Sequence, residues 1–161
     1  MIEAERLLQR AAALIRLPGF PDQIPEILPG GMGVRCATTG REFPFRDGVL
    51  DLLPDDGQRT FSQRSLDTFL TAWFYDVSRD LILKVAGQPD FRTEVARIQR
   101  DLQIQPGDTV VDLACGHGNF TIEWARLAGA GGLVIGVDIS RSMLARAAAR
   151  IASTGITNVA E

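Results

Sequence analysis

Lysine is almost missing from this chain. Lys84 is the only one among 161 residues, so nearly all the positive charge is arginine, and the formal net charge is −3. Without a concentrated basic face, a general grip on nucleic acid is not expected. Cysteine is as scarce, with Cys36 and Cys115 far apart in the chain. Two distant cysteines lack the density of a secreted, disulfide-stapled domain. Histidine occurs once, at His117. No Cys and His set therefore reaches the roughly four ligands of a structural zinc site. No run approaches the ~18 apolar residues that span a bilayer. The opening segment MIEAERLLQRAAALIRL carries Glu3 and Glu5 and no long apolar core, unlike a signal or transit peptide. These absences predict a cytoplasmic chain with no membrane, metal or nucleic-acid partner.

What is present suffices for a core, since 45% of the residues are hydrophobic. Residues 2–16 read as an amphipathic helix with Leu7, Leu8, Ala11, Leu14 and Ile15 on its apolar side. The Pro- and Gly-rich stretch from Pro18 to Gly33 reads as loop. Val34–Cys36, Glu42–Phe45 and Val49–Leu53 read as short strands, the last two joined by a turn at Arg46-Asp47-Gly48. A helical pattern then runs through Leu66, Leu70, Trp73, Val77 and Leu81. A second helix follows, with Asp90 as N-cap and Phe91, Val95, Ile98 and Leu102 on one face.

Beyond Pro106 the pattern changes. Thr109–Leu113 is a β-branched apolar run suited to a strand covered on both faces. A glycine loop leads to a helix from about Asn119 to Leu127. Leu133–Val137 is a second buried-type strand ending at Asp138. Ser140 caps another helix that stops at Gly155, and Thr157–Ala160 opens a third strand. Strand, helix, strand, helix, strand predicts a doubly wound parallel sheet.

The chemistry sits in VVDLACGHGNF, residues 110–120. A strand ends, Gly116 and Gly118 permit a sharp turn, and a helix begins whose N-terminal N–H groups can face a ligand. In parallel sheets ligands bind at the carboxyl ends of the strands, where this loop must lie. A dinucleotide fingerprint would need a third glycine where Thr121 stands. It would also have no use for an acid before the turn, against a pyrophosphate. Asp112 in that place suits a ligand with a cationic group. Asp138, about 20 residues past the loop, suits a ribose.

DLACGHGNF followed by GVDISRSML resembles motif I and the following acidic strand end of class I S-adenosylmethionine-dependent methyltransferases. The resemblance implies S-adenosyl-L-methionine as cofactor and methyl transfer as the activity. It implies that Asp112 helps hold the methionine end, wrapped by the backbone around Ala114, Cys115, Gly116 and Gly118. Asp138 would hold the ribose, Ile139 would lie against the adenine, and Met143 would be near it. A tyrosine-aspartate pair ahead of the motif can lie across the pocket in similar enzymes, which makes Tyr75 a further candidate. Ala114 departs from the glycine that many members carry. No catalytic residue is identified: His117 fills a variable slot, and nothing marks Cys115 as a lowered-pKa thiol.

Residues 34–54, VRCATTGREFPFRDGVLDLLP, resemble the second half of a zinc-ribbon-like front domain found in some bacterial methyltransferases. Thr39 replaces the partner of Cys36, which implies a hairpin kept without its metal. The expected fold class is α/β, a partial Rossmann-like parallel sheet preceded by helices and a small β-hairpin segment. The expected divisions are 1–57, 58–104 and 105–161. The family sheet has about seven strands, and the chain reaches the start of the third. That predicts half a cofactor site, a truncated domain, and self-association or a partner chain at the unpaired edge. The expected acceptor is a small molecule. A non-catalytic subunit that completes a partner and a nicotinamide-dependent oxidoreductase are the alternatives.

Overall fold

A computed structural model of the chain describes residues 3–53 and 90–161. Two small sheets organise them. The first is antiparallel, in the order β1 (Glu26–Ile27), β2 (Gly33–Arg35), β3 (Glu42–Arg46), β4 (Val49–Leu50). Asp47 and Gly48 join β3 to β4 with φ of 52° and 87°. Two consecutive left-handed residues give the turn whose twist matches a hairpin. Leu8, Leu17, Val34, Cys36 and Phe43 form the core beneath. β1 lies in the stretch read as loop, its Ile27 opposite Val34. A strand of two residues is too short to leave a periodic signal.

The second sheet is parallel, in the order β5 (Thr109–Leu113), β6 (Leu133–Val137), β7 (Val159–Ala160). Helix α3 (Asn119–Ala128) connects β5 to β6, and α4 (Arg141–Thr154) connects β6 to β7. Ile122, Trp124 and Ala125 of α3 and Ala147 and Ile151 of α4 bury Val134 and Val159. Helix α2 (Phe91–Leu102) adds Val95 and Ile98 to that layer. As expected, Asp90 caps it, accepting from the Thr93 N–H at 2.9 Å. Asn158 is buried in the same layer and donates to the carbonyls of Ala125 and Gly129 at 3.0 and 2.9 Å. It ties the open C-terminal turn of α3 to the last strand.

Helix α1 (Glu3–Ala12) covers the other face of the parallel sheet. Ala11 packs with Leu133, Ile135 and Ala160, while Leu8 enters the antiparallel core. The Arg10 guanidinium donates to the carbonyls of Gly131 and Gly132 at 3.0 and 2.8 Å. One helix thus serves both sheets.

The structure corrects further expectations: Leu14, read on the apolar side of the first helix, is exposed, and the strand read as Val49–Leu53 ends at Leu50. Helix α1 ends at Ala12, short of residue 16. Leu102 is exposed, because α2 runs past the layer it covers. β5 is not covered on both faces: Val111 is 55% exposed and Leu113 74%. The cause is the reach of α1, which packs over β6 and β7. Among the described residues nothing covers that side of β5. Tyr75 and the helical pattern from Leu66 to Leu81 lie outside the described residues. Among those described, no helix is long and apolar enough to cross a membrane.

In the front segment, the Gly40 N–H donates to the Cys36 carbonyl at 2.8 Å, closing a tight turn. The Cys36 thiol points toward Gln23 Oε1 at 3.8 Å. Among the described residues no group of three or more His, Cys, Asp or Glu is placed to hold a metal ion.

Candidate cofactor site at the strand ends

After Leu113 the chain turns through three left-handed residues, Ala114 (φ 60°), Gly116 (58°) and Gly118 (78°), before α3 begins. Gly118 is required twice over. Besides its φ, a Cβ there would sit 3.1 Å from the Ala147 Cβ, so α3 and α4 would have to part by a few tenths of an ångström. Its first turn has no side-chain cap, which leaves the N–H groups there for other acceptors. Ala114 holds a conformation that costs an L-residue about 1 kcal/mol. Ala114→Gly is therefore expected to stabilise the chain by about 0.5 kcal/mol after the added freedom of the unfolded glycine is subtracted. A thermal melt followed by circular dichroism checks the sign.

Two aspartates frame this loop. Asp138 accepts from the Gly116 N–H at 2.9 Å through Oδ2 and from the Ser140 N–H at 2.8 Å through Oδ1. One carboxylate thereby joins the glycine loop to the start of α4, where Ser140 accepts from the Met143 N–H at 3.3 Å. Asp112 stands opposite Gly136 in the sheet and accepts from the Thr121 hydroxyl at 2.6 Å. Burial pushes the Asp112 carboxyl above the ordinary range. The Thr121 bond opposes that shift, and the negative charge of Asp138 adds to it. The carboxylates give this end of the sheet a negative potential suited to a cation.

Cys115 is buried between the acids. Burial first, then the charges of Glu161, Asp112 and Asp138, push its thiol up to about 12. At neutral pH it is a thiol and no nucleophile. The His117 ring meets Asn119 at 3.0 Å, and its carbonyl accepts from Arg150 at 3.1 Å, so its contacts are those of a loop brace. Ile139 is exposed and Met143 half-buried. Asp112, Cys115, Gly116, Gly118 and Asp138 are thus brought together.

Two residues went unread in the sequence. Thr121, fully buried, figured only as a missing glycine, although a hydroxyl on the inner face of a helix after an acidic strand end was a signal. Glu161 gave none. Burial, then Asp112, raises its carboxyl to about 7 from an ordinary 4.5. An acid with a raised folded-state pKa favours the fold most when protonated. Stability therefore declines as pH climbs from about 4.5 to about 7 and is level above. Glu161→Gln is expected to remove that slope, raising the melting temperature at pH 8 and leaving it unchanged at pH 4.

Residues 104–160 match the family model described as "Methyltransferase domain". The 23S rRNA (uracil(1939)-C(5))-methyltransferase RlmD of Hahella chejuensis is 37% identical over 118 residues, 70% of this chain and 24% of that protein. The protein of the same name from Photobacterium angustum is 38% identical over 104 residues, 65% of this chain and 38% of its own length. The chain therefore spans 24% to 38% of the length of these two relatives. A solved SAM-dependent methyltransferase from Geobacter sulfurreducens, in complex with S-adenosyl-L-homocysteine, aligns at 29% identity over 42% of this chain and 26% of that one, with a TM-score of 0.36.

These relatives overturn the expectation of a small-molecule acceptor and no nucleic acid, since both are named for methylation of 23S rRNA. The formal net charge of −3 on which that expectation rested does not say how charge is distributed over a surface.

Proposed function

We propose, from the match of residues 104–160 to a methyltransferase-domain model, that this chain carries a class I methyltransferase domain, binds S-adenosyl-L-methionine and serves methyl transfer to a base in RNA. The observation that carries the cofactor reading is the Asp138 carboxylate, braced by the Gly116 and Ser140 N–H groups at the strand end beside a left-handed glycine loop. A carboxylate has about four acceptor positions, so two remain for a ribose diol. In this reading Asp112 faces the ammonium of the methionine end, and the backbone at Ala114, Cys115, Gly116 and Gly118 surrounds that end. Ile139 and Met143 meet the adenine from the open side. The cofactor supplies an activated methyl group, so the protein's task is to align it with the acceptor and exclude water.

The RNA acceptor rests on the two relatives. A ribosomal RNA acceptor would support a cytoplasmic site for the reaction. The divisions 1–57, 58–104 and 105–161 are proposed on the same footing, the last containing the cofactor loop. The test has two arms. Calorimetry of the purified chain with S-adenosylhomocysteine and with NADH should give heat from the first alone. Incubation with radiolabelled S-adenosylmethionine and a 23S rRNA transcript should then label the RNA. Binding of NADH instead would sink the cofactor reading. Cofactor binding with no label on RNA would sink the acceptor.

A further inference from the structure

The helical face of the parallel sheet carries a cleft of about 250 Å³ that the cofactor loop does not use. It lies where the start of α2 meets α3 and the last turn of α4. Phe91 lines it with an aromatic ring, Arg126 and Arg150 with guanidinium groups, and Ser153 and Thr154 with hydroxyls. The Phe91 ring is fixed from behind. It leans on Phe120 with centroids 5.1 Å apart, and Phe120 stacks on Trp124 at 5.5 Å. Both arginines are exposed. Arg126 pairs with Glu123 at 2.5 Å, one turn back on α3, and so exposed a pair contributes little. Arg150 donates to the His117 carbonyl at 3.1 Å, so the cleft adjoins the glycine loop. The two hydroxyl protons are committed. Ser153 donates to the Arg150 carbonyl at 2.6 Å and Thr154 to the Ile151 carbonyl at 2.7 Å. Their oxygens are left to accept.

A ring to stack on, two cations and two hydroxyl acceptors complement a single-stranded ribonucleotide: its base, its phosphate and its 2′-hydroxyl. The geometry points to this cleft as a docking site for a nucleotide of the RNA substrate. Its base stacks on Phe91, its phosphate lies between Arg126 and Arg150, and its 2′-hydroxyl donates to Ser153 or Thr154. Single strands are held by aromatic platforms beside basic side chains, and the 2′-hydroxyl is what separates RNA from DNA. The C-terminal end of α4 supports that division. Its open carbonyls carry partial negative charge, which favours a donor there and keeps the phosphate toward the arginines. Glu123 repels the phosphate and holds Arg126 back, so it limits the affinity of the site. The inference rests on the proposed RNA acceptor. A nucleotide flanking the target base would be gripped here, beside the glycine loop. Such contacts fix the register of a strand and leave its sequence unread.

The test is fluorescence anisotropy of the full chain with a labelled oligouridine and its 2′-deoxy counterpart of equal length, over a range of salt concentrations. The deoxy oligomer should bind at least about threefold more weakly. Arg126→Gln should weaken the RNA oligomer at least about threefold at low salt. It should also lower the slope of log affinity against log salt by about 0.7, the loss of one phosphate contact. Glu123→Gln should act in the opposite direction and tighten RNA binding about threefold. Phe91→Leu keeps an apolar filling and removes the aromatic face, so it should lose at least about fivefold. Should that variant fail to fold, as circular dichroism would reveal, the exposed Arg126 and Glu123 variants decide. S-adenosylhomocysteine affinity should stay at the native value in both. Equal binding of the two oligomers would overturn the proposal, as would an Arg126→Gln variant with native affinity and slope. If either occurs while a 23S rRNA transcript is still labelled, the acceptor stands and the cleft falls. If the variants behave as expected but no transcript is labelled, the cleft binds RNA and the acceptor falls.

Discussion

Asp138→Ala is expected to weaken S-adenosylhomocysteine binding at least about 100-fold, with the variant still folded. The argument starts from the free protein, where both carboxylate oxygens already accept a backbone N–H, from Gly116 and from Ser140. A ribose diol would add two charge-assisted bonds on the remaining lone pairs. Each such bond contributes roughly 1.5–3 kcal/mol, and losing two removes about two orders of magnitude or more in affinity. The alanine also frees the Gly116 loop, so some loss comes from disordering the partner groups. Asp138→Asn separates the two effects. The amide keeps one acceptor oxygen, and its affinity should fall between native and alanine. If the alanine variant binds within about threefold of native, Asp138 does not hold the ribose.

The placement of Asp138 beside the glycine loop was legible in the sequence because its determinants are local. An acid ending a strand, a glycine loop about 20 residues earlier and a Ser cap beside it follow from strand-loop-helix order. The caps at Asp90 and Ser140 and the hairpin turn at Asp47-Gly48 have the same origin, since each needs only its near neighbours. The features that went unread join distant residues. Asp51 meets Arg141, 90 positions away, and Arg10 reaches Gly131 and Gly132 across more than 120. No periodicity predicts that α1 lies over β6 and β7, and hence none predicts that Val111 and Leu113 are left open. The apolar run at 109–113 correctly implies a strand, but composition cannot say which of its faces finds a partner. The nucleic-acid substrate for which the relatives are named was not anticipated for a related reason: charge summed over a chain says little about how that charge is placed on a surface.

Thr121→Val is the second large effect, and it tests how Asp112 is kept ready for a cation. The hydroxyl is fully buried and donates to Asp112 Oδ2 at 2.6 Å, while valine preserves the shape and removes the donor. The Asp112 carboxylate then loses a bond to a charged acceptor, which contributes roughly 1.5–3 kcal/mol. Its carboxyl already titrates above the ordinary range through burial, opposed by Thr121. Without that opposition it moves higher still. The sign for binding follows. A cationic ammonium needs the ionised acid, so affinity rises with pH through the Asp112 titration. In the valine variant that rise shifts to higher pH. On the acid side of that rise the variant should bind S-adenosylhomocysteine more weakly than native, and the gap should narrow as the pH is raised. Thr121→Ser, which keeps the hydroxyl, should restore most of the affinity and the native pH profile. A valine variant with a native profile at every pH would show that the Thr121 bond only packs the helix, and that Asp112 is held for the cofactor by other means.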